Sequence, residues 1–461
     1  MKSIKKWLTS NHETLVSDLA DLVAVPSVST DRRHPKEIKQ SAAVVAKLMK
    51  RAGLERIQTL SPGKANPFVF GEWTHAKNKP TLLLYAHHDV QPAADENNWA
   101  SSPWKLTRRK GRLFGRGSAD DKGAIVVQLG AIEAWLKTHG SLPVNVKVLI
   151  EGEEEIGSEN LIPFVQKNRK LVNADAVVVC DTNMINTGHP SITYSLRGVV
   201  GLKVEVETAS GPQHSGFAGG LMPDAAIAMN VILSRLNWKN GKVPVPGFYD
   251  GITPMSKRER EWLKRLPVDE AKIRKDFGTL PGVELANWAN PLEQTWRQPA
   301  VSIIAQEASS LANASNQVLG KATAIVSCRI VAGQDQKQVA AAVAKVLMKD
   351  PPWGARVTVT QSRGLRAWMT DPTGPAFDAA RAALRAGFGK EAAMIGSGGS
   401  IGFVGPMAKV LDDAPVVMLG IEDALSNAHA PNESLHEGDF RKLMLSIAHL
   451  FQNVSTVKSM T

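Results

Sequence analysis

Cysteine is scarce in this sequence, with only Cys180 and Cys328 in a chain of 461 residues. Two thiols in such a length give no disulfide framework, which excludes a cystine-stapled secreted module and fits a reducing, cytoplasmic setting. Long apolar runs are missing too. No stretch approaches the roughly 20 residues that cross a bilayer, so no membrane partner is expected. The N-terminal stretch from Met1 to Leu8 is basic, but no apolar segment or small-residue cleavage site follows it. Nor is the charge gathered in one place. Lys and Arg number 55 against 44 Asp and Glu, a formal charge of +11, yet the cations are scattered along the chain. With no basic stripe and no nucleic-acid motif, that charge reads as surface character, and no nucleic-acid partner is expected. Internal repeats and low-complexity segments are absent as well.

What remains is an ordinary soluble composition, 43% apolar and 21% charged. At 461 residues the chain exceeds the size at which one core keeps growing, so two domains are expected. Helical spacing over 12–24 and 37–52 precedes strands at 68–73 and 81–86. A helix over 120–137, a strand at 144–150, a helix at 159–167 and a strand at 174–180 complete an alternation typical of an α/β sheet covered by helices. Near residue 198 the pattern changes. Residues 199–208 alternate like a half-exposed strand, a helix fits 224–236, and 237–297 reads as irregular and rich in Pro and Trp. Strands at 301–306 and 322–330, a helix at 336–348 and a strand at 356–361 complete a compact α+β unit. After Pro372 the α/β style returns, with a helix at 375–388, a glycine-rich turn at 396–402, a strand at 416–420 and a helix at 439–457. The expected organisation is a catalytic domain built from 1–197 and 364–461, interrupted by an inserted domain at 198–363.

Several apolar strands end in groups suited to chemistry. Thr81–Ala86 runs into His87, His88 and Asp89. Side chains alternate along a strand, so His87 and Asp89 share a face and His88 points the other way. A carboxylate beside an imidazole can accept its second N–H and leave the other nitrogen free for a metal. The stretch Gly115–Gly123 sets Asp120 and Asp121 between glycines where a helix begins. Glu151, Glu153, Glu154 and Glu155 crowd behind another strand, and crowded like charges push pKa values up unless a cation compensates. Asp181 ends a further strand. Ligands of open α/β sheets collect beyond the carboxyl ends of strands, where these groups converge. His214 lies in a glycine-rich loop of the insert and His429 in a loop after the last strand. Taken singly, each has a plainer reading as a polar turn, an acidic helix start, a solvated loop or a surface histidine. On chemistry alone, Glu153–Glu154 serves as well as Glu154–Glu155.

Together, His87-x-Asp89-Val-Gln-Pro, Gly115-Arg-Gly-x-x-Asp120-Asp-Lys-Gly, Glu154-Glu155-x-Gly-Ser, Asp181, His214-Ser-Gly and His429-x-Pro-Asn-Glu stand in the order and spacing of one family. From Val25-Pro-Ser-Val28 to the region of His429, the sequence resembles the co-catalytic dinuclear zinc peptidases and deacylases. That family includes carnosine-type dipeptidases, carboxypeptidase G, aminoacylases, and the acetylornithine and succinyl-diaminopimelate deacylases. The resemblance implies a discontinuous zinc-peptidase catalytic domain, a mixed sheet flanked by helices, with an inserted α+β lid and dimerisation domain. It implies two divalent ions per subunit, zinc first, with manganese or cobalt as alternatives. His87 and Asp181 would hold one ion, Glu155 and His429 the other, and Asp120 would bridge them. Asp89 would orient His87, and Glu154 would be the general base on a water between the ions. The Gly157-Ser158 pair aligns the family's two glutamates with 154 and 155, and His88 receives no role.

From the inserted domain of a homodimer partner, His214 would stabilise the reacting oxygen. Arg329 and Asn316 would bind the carboxylate end and carbonyl of the substrate, with Gly399 and Ser400 receiving the same carboxylate. A guanidinium suits that task because it pairs bidentately. Cys180 and Cys328 are expected in the core. The implied activity is metal-dependent hydrolysis of an amide bond in dipeptides or small peptides, with an N-acyl-amino-acid deacylase as the alternative. Asp181 and the His87-x-Asp-Val-Gln-Pro-Ala stretch favour the dipeptidase branch. A non-catalytic basic binding protein of the same fold is disfavoured by the intact ligand set and Glu154.

Overall fold

A computed structural model describes residues 1–30, 35–63, 65–362 and 364–460. The chain forms two compact units. One comprises Met1–Tyr194, Thr370–Ile395 and Phe403–Thr461, the other Ser195–Met369 with Gly396–Gly402. The glycine-rich turn and residues 364–369, expected in the catalytic part, therefore cluster with the inserted part. Arg363, at the expected boundary, lies outside the described residues.

A mixed sheet forms the centre of the first unit. Its strands run in the order Glu55–Leu60, Phe68–Trp73, Asn145–Glu151, Thr81–His87, Ala176–Asn183, Val416–Glu422 and Ser191–Leu196. Thr81–His87 is parallel to both neighbours, and Val416–Glu422 is parallel to Ala176–Asn183. Four carboxyl ends consequently emerge on one side of the sheet. Leu82, Leu83, Leu84, Tyr85 and Ala86 are all buried, as a strand covered on both faces requires. Each such leucine contributes about 1.5–3 kcal/mol by its burial. The helix Lys122–His139 is buried along most of its length and stops at Gly140, whose φ of 70° provides the left-handed cap. It packs against the final helix, Glu437–Val454, where Trp135 Nε1 donates to the Ala448 carbonyl at 2.9 Å. A small sheet of Thr107–Arg109, Arg112–Phe114 and Ser434–His436 ties the segment before that last helix to the turn before Lys122.

The second unit is a four-stranded antiparallel sheet in the order Ala300–Glu307, Lys321–Ile330, Gly198–Glu207 and Arg356–Gln361. Alternation along Gly198–Glu207 buries Val200, Leu202, Val204 and Val206 in a core with Met229, Ile232, Val343 and Leu347. The helix Ala225–Leu233 begins at Asp224, which accepts from the amides of Ala226 and Ile227. Residues 237–297 are not wholly irregular, since Lys257–Arg265, Glu270–Asp276 and Pro291–Trp296 are helical. The first opens with a capping box between Ser256 and Glu259. Buried Arg297 then locks the segment, donating to Glu259 at 3.1 Å and to the Thr253 carbonyl at 3.0 Å. Among the described residues, no helix is long and apolar enough to cross a membrane.

Candidate metal centre

The carboxyl ends of the parallel strands bring the first unit's candidate residues together. His87 is the last residue of Thr81–His87, and Asp181 lies near the end of the adjacent Ala176–Asn183. Asp120 precedes the helix Lys122–His139, joined to Asp121 by a cis peptide bond. Glu154 and Glu155 sit in the single turn Glu154–Ile156 beyond Asn145–Glu151. His429 comes from the loop after Val416–Glu422, at a φ of 64°. Two groups of potential ligands result, His87 with Asp120 and Asp181, and Glu155 with Asp120 and His429. Asp120 belongs to both. Its Oδ1 is 3.1 Å from His87 Nε2 and its Oδ2 is 2.9 Å from His429 Nε2. His87 Nε2 is 3.9 Å from Asp181 Oδ1, and His429 Nε2 is 3.3 Å from Glu155 Oε2.

Neighbouring groups hold these side chains in place. His87 Nδ1 stands 3.0 Å from the backbone carbonyl oxygen of Asp89, which can only accept, so Nδ1 carries a proton and Nε2, 3.1 Å from Asp120 Oδ1, is the nitrogen a metal would take. The Asp89 carboxylate is farther from that nitrogen, at 3.5 Å, and accepts instead from the amides of Glu154 and Glu155 at 3.2 and 3.1 Å. Asp89 therefore anchors the glutamate turn as well as the histidine. Gln91 donates to both Glu155 oxygens. Of the other glutamates, Glu153 accepts from Asn66 and Asn160, while Glu151 accepts from Tyr85 Oη at 2.5 Å and Ser158 Oγ at 3.1 Å. It is Glu155, not Glu153, that meets His429. His88 points away as strand alternation requires, its Nε2 donating to the Pro67 carbonyl at 2.9 Å. Burial pushes its pKa down to about 4, so it stays neutral. A Cβ on Gly152 would come within 2.9 Å of that nitrogen, which explains a glycine inside the glutamate run.

Charges in this cluster conflict without a cation. Burial, and then the carboxylate of Asp121, raises Asp181 well above the usual carboxylate range. Glu154 is pushed up to about 8 by desolvation and by the carboxylates of Glu155 and Asp120. Burial also opposes ionisation of Asp120, but hydrogen bonds from His429 and His87 outweigh it and hold the carboxyl below its ordinary value. Its hydrogen bond to Asp120, with one to Glu155, raises His429 to about 11. A divalent ion relieves both sides of the conflict, because its ligands are ionised carboxylates and neutral imidazoles. Nitrogen and carboxylate donors in these two groups fit zinc, manganese or cobalt.

The remaining candidates lie in the second unit. His214 and Gln317 pair across a short ladder, and the Asn316 carbonyl accepts from the Ser215 amide at 2.9 Å, which brings Asn316 beside the histidine. His214 is exposed, its Nδ1 accepting from the Gly216 amide at 3.0 Å. Toward the other end of Lys321–Ile330, Arg329 donates to Ser400 Oγ at 2.9 Å, and that hydroxyl donates to the Arg197 carbonyl at 2.5 Å. Arg197 Nε reaches the Gly398 carbonyl at 3.3 Å, next to Gly399. Among the described residues neither guanidinium has a carboxylate partner. Burial and the neighbouring Arg329 lower Arg197 to about 10.

The sequence profile of peptidase family M20/M25/M40 matches residues 83–453. The chain belongs to this family. It is 30% identical over 445 residues to a cysteinylglycine-S-conjugate dipeptidase of Corynebacterium striatum, covering 96% of this chain and 95% of that protein. Its fold is similar to that of the dipeptidase Dug1p from Saccharomyces cerevisiae, with a TM-score of 0.85, 25% identity and coverage of 99% and 98% of the two chains. Human carnosine dipeptidase 1 is equally similar, with a TM-score of 0.84, 26% identity and 99% of each chain covered. This peptidase is thus an enzyme of the hydrolase class.

Three residues around the first unit's candidate site, and one in the second unit, escaped the sequence reading. Gln91 belongs to the quoted Asp89-Val-Gln-Pro stretch, and Glu433 to the quoted Pro-Asn-Glu stretch, yet neither has a role readable from spacing. Glu422 ends Val416–Glu422 and could have been found as a further acidic strand terminus. Arg197 offers no local signal, because what marks it is the proximity of Arg329.

Proposed function

We propose that this peptidase hydrolyses dipeptides or small peptides with a free C-terminal carboxylate, using two divalent metal ions. The observation that supports the reading best is Asp120, whose two oxygens face two separate histidines. His87 and Asp181 would hold one ion, Glu155 and His429 the other, and Asp120 both. Zinc is the leading candidate, with manganese or cobalt as alternatives. When bound, such ions supply Lewis-acid polarisation of the scissile carbonyl and acidify water. Half-buried Glu154 would take a proton from the attacking water and hand it to the leaving nitrogen, ionised once bound cations offset the burial and neighbouring carboxylates that raise its pKa in their absence. Asp89 fixes the Glu154–Glu155 turn and, with its backbone carbonyl, the tautomer of His87. Arg329, with Ser400 and Gly399, binds the carboxylate end of the substrate, Asn316 its carbonyl, and His214 donates to the oxygen on which charge develops.

The named relatives are dipeptidases, which supports dipeptides over N-acyl amino acids as the substrate class. With divalent metal added back, the purified protein should turn over dipeptides faster than N-acetyl or N-succinyl amino acids. Faster hydrolysis of an N-acyl amino acid would make it a deacylase instead. Arg329→Ala should raise KM for free dipeptides about 10- to 100-fold, since a hydrogen bond to a charged group is worth about 1.5–3 kcal/mol. C-terminally amidated substrates should be little affected, and equal effects on both would remove Arg329 from the carboxylate site.

A homodimer through the inserted unit belongs to the same reading. The edge strand Ala300–Glu307 exposes Ile303 and Ile304, and the nearby helix Ala225–Leu233 exposes Ile227 and Val231. An unpaired apolar edge of this kind suits a self-complementary two-fold contact. The free, buried thiols of Cys180 and Cys328 support a cytoplasmic setting.

A further inference from the structure

Glu433 lies outside both ligand groups, yet it is completely buried beside them. The small sheet carries it there. Ser434 pairs with Phe114, and the Gly115 amide donates to the Glu433 carbonyl at 3.0 Å. This register delivers the Glu433 side chain beneath residues 116–120. Its Oε2 accepts from the Gly117 amide at 2.9 Å and from Arg116 Nη1 at 2.6 Å. Its Oε1 accepts from the amides of Ala119 at 2.9 Å and Asp120 at 3.1 Å. One carboxylate thus gathers three backbone amides and a guanidinium, ending on the residue shared by both histidines. Gly117 stands at a φ of 79°, and a Cβ there would lie 2.6 Å from Val90 Cγ1, so the loop is confined from the other side as well.

We infer that Glu433 is a positioning residue of the metal centre, holding the Asp120 loop in its ligating shape before any ion arrives. This rests on the reading of Asp120 as a shared ligand. A bridging carboxylate must present each oxygen in a fixed direction, and its backbone amide is the nearest point at which that direction can be set. Partners that orient metal ligands typically change metal affinity about 10- to 100-fold when removed. A purely structural Glu433 would lower heat stability and leave affinity alone.

The full-length protein tests this without an activity assay. Amide hydrogen exchange in metal-free wild type should show Gly117, Ala119 and Asp120 already protected. In metal-free Glu433→Gln that protection should be lost, and cobalt(II) titration followed by absorption should show affinity about 10- to 100-fold weaker at both sites. Asp120→Asn should keep the protection but lose cobalt. A folded Glu433→Gln that binds cobalt like wild type would overturn the inference. If that variant does not fold, wild type decides: rapid exchange of the three amides until metal is added also overturns it. Wild type binding fewer than two cobalt ions would instead refute the shared-ligand reading, separately from the exchange result.

Discussion

Glu154→Gln should lose about 10²–10⁴-fold in kcat, the usual cost of a missing general base, and more if the same carboxyl also returns the proton. It should still bind two metal ions, because no ligand is removed. The amide side chain keeps the size of the glutamate but cannot take a proton from water. Glu155→Gln should behave differently. Glu155 Oε2 lies 3.3 Å from His429 Nε2, and both Glu155 oxygens receive Gln91, so its loss should empty the group built around His429. The contrast is read by elemental analysis beside steady-state kinetics. Glu154→Gln lacking a metal would shift the assignment by one residue along the glutamate run.

His214→Ala should abolish most activity, and mixing should restore part of it. If His214 acts in the partner's site, an inactive His214→Ala chain and an inactive Glu154→Ala chain complement each other. In a mixed dimer, the site with Glu154 intact receives His214 from its neighbour. Random exchange makes about half the dimers mixed, each with one complete site of two, so activity should return to about a quarter of wild type. No recovery despite demonstrated exchange would place His214 within its own chain's chemistry or outside it altogether.

How much of this is legible in the sequence depends on how local each signal is. The parallel strands announce themselves because they are buried on both faces, leaving an unbroken apolar run such as Leu82–Ala86 that ends in chemistry. The ordered motifs then bring His87, Asp120, Glu155, Asp181 and His429 to mind, and the fold gathers them within ligand distance. Within the glutamate run, side-chain chemistry cannot choose a register. The choice lies with Asn66 and Asn160, which take Glu153, and with Gln91, which takes Glu155. Glu433 is illegible for the same reason, since the loop it supports lies 316 residues earlier at Gly117. Gly396–Gly402 leaves the first unit because its partners, Arg197 and Arg329, lie in the second. The helix Lys257–Arg265, by contrast, carries a local signal in Ser256-x-x-Glu259 that reading 237–297 as irregular overlooks.

The metal content of the active protein tests the central claim most directly. Elemental analysis of purified, fully active protein should find two divalent ions per chain, one for each group that shares Asp120. Removing them with a chelator should abolish dipeptide hydrolysis, and zinc, manganese or cobalt should restore it. Full activity in a preparation shown to be metal-free would contradict the account.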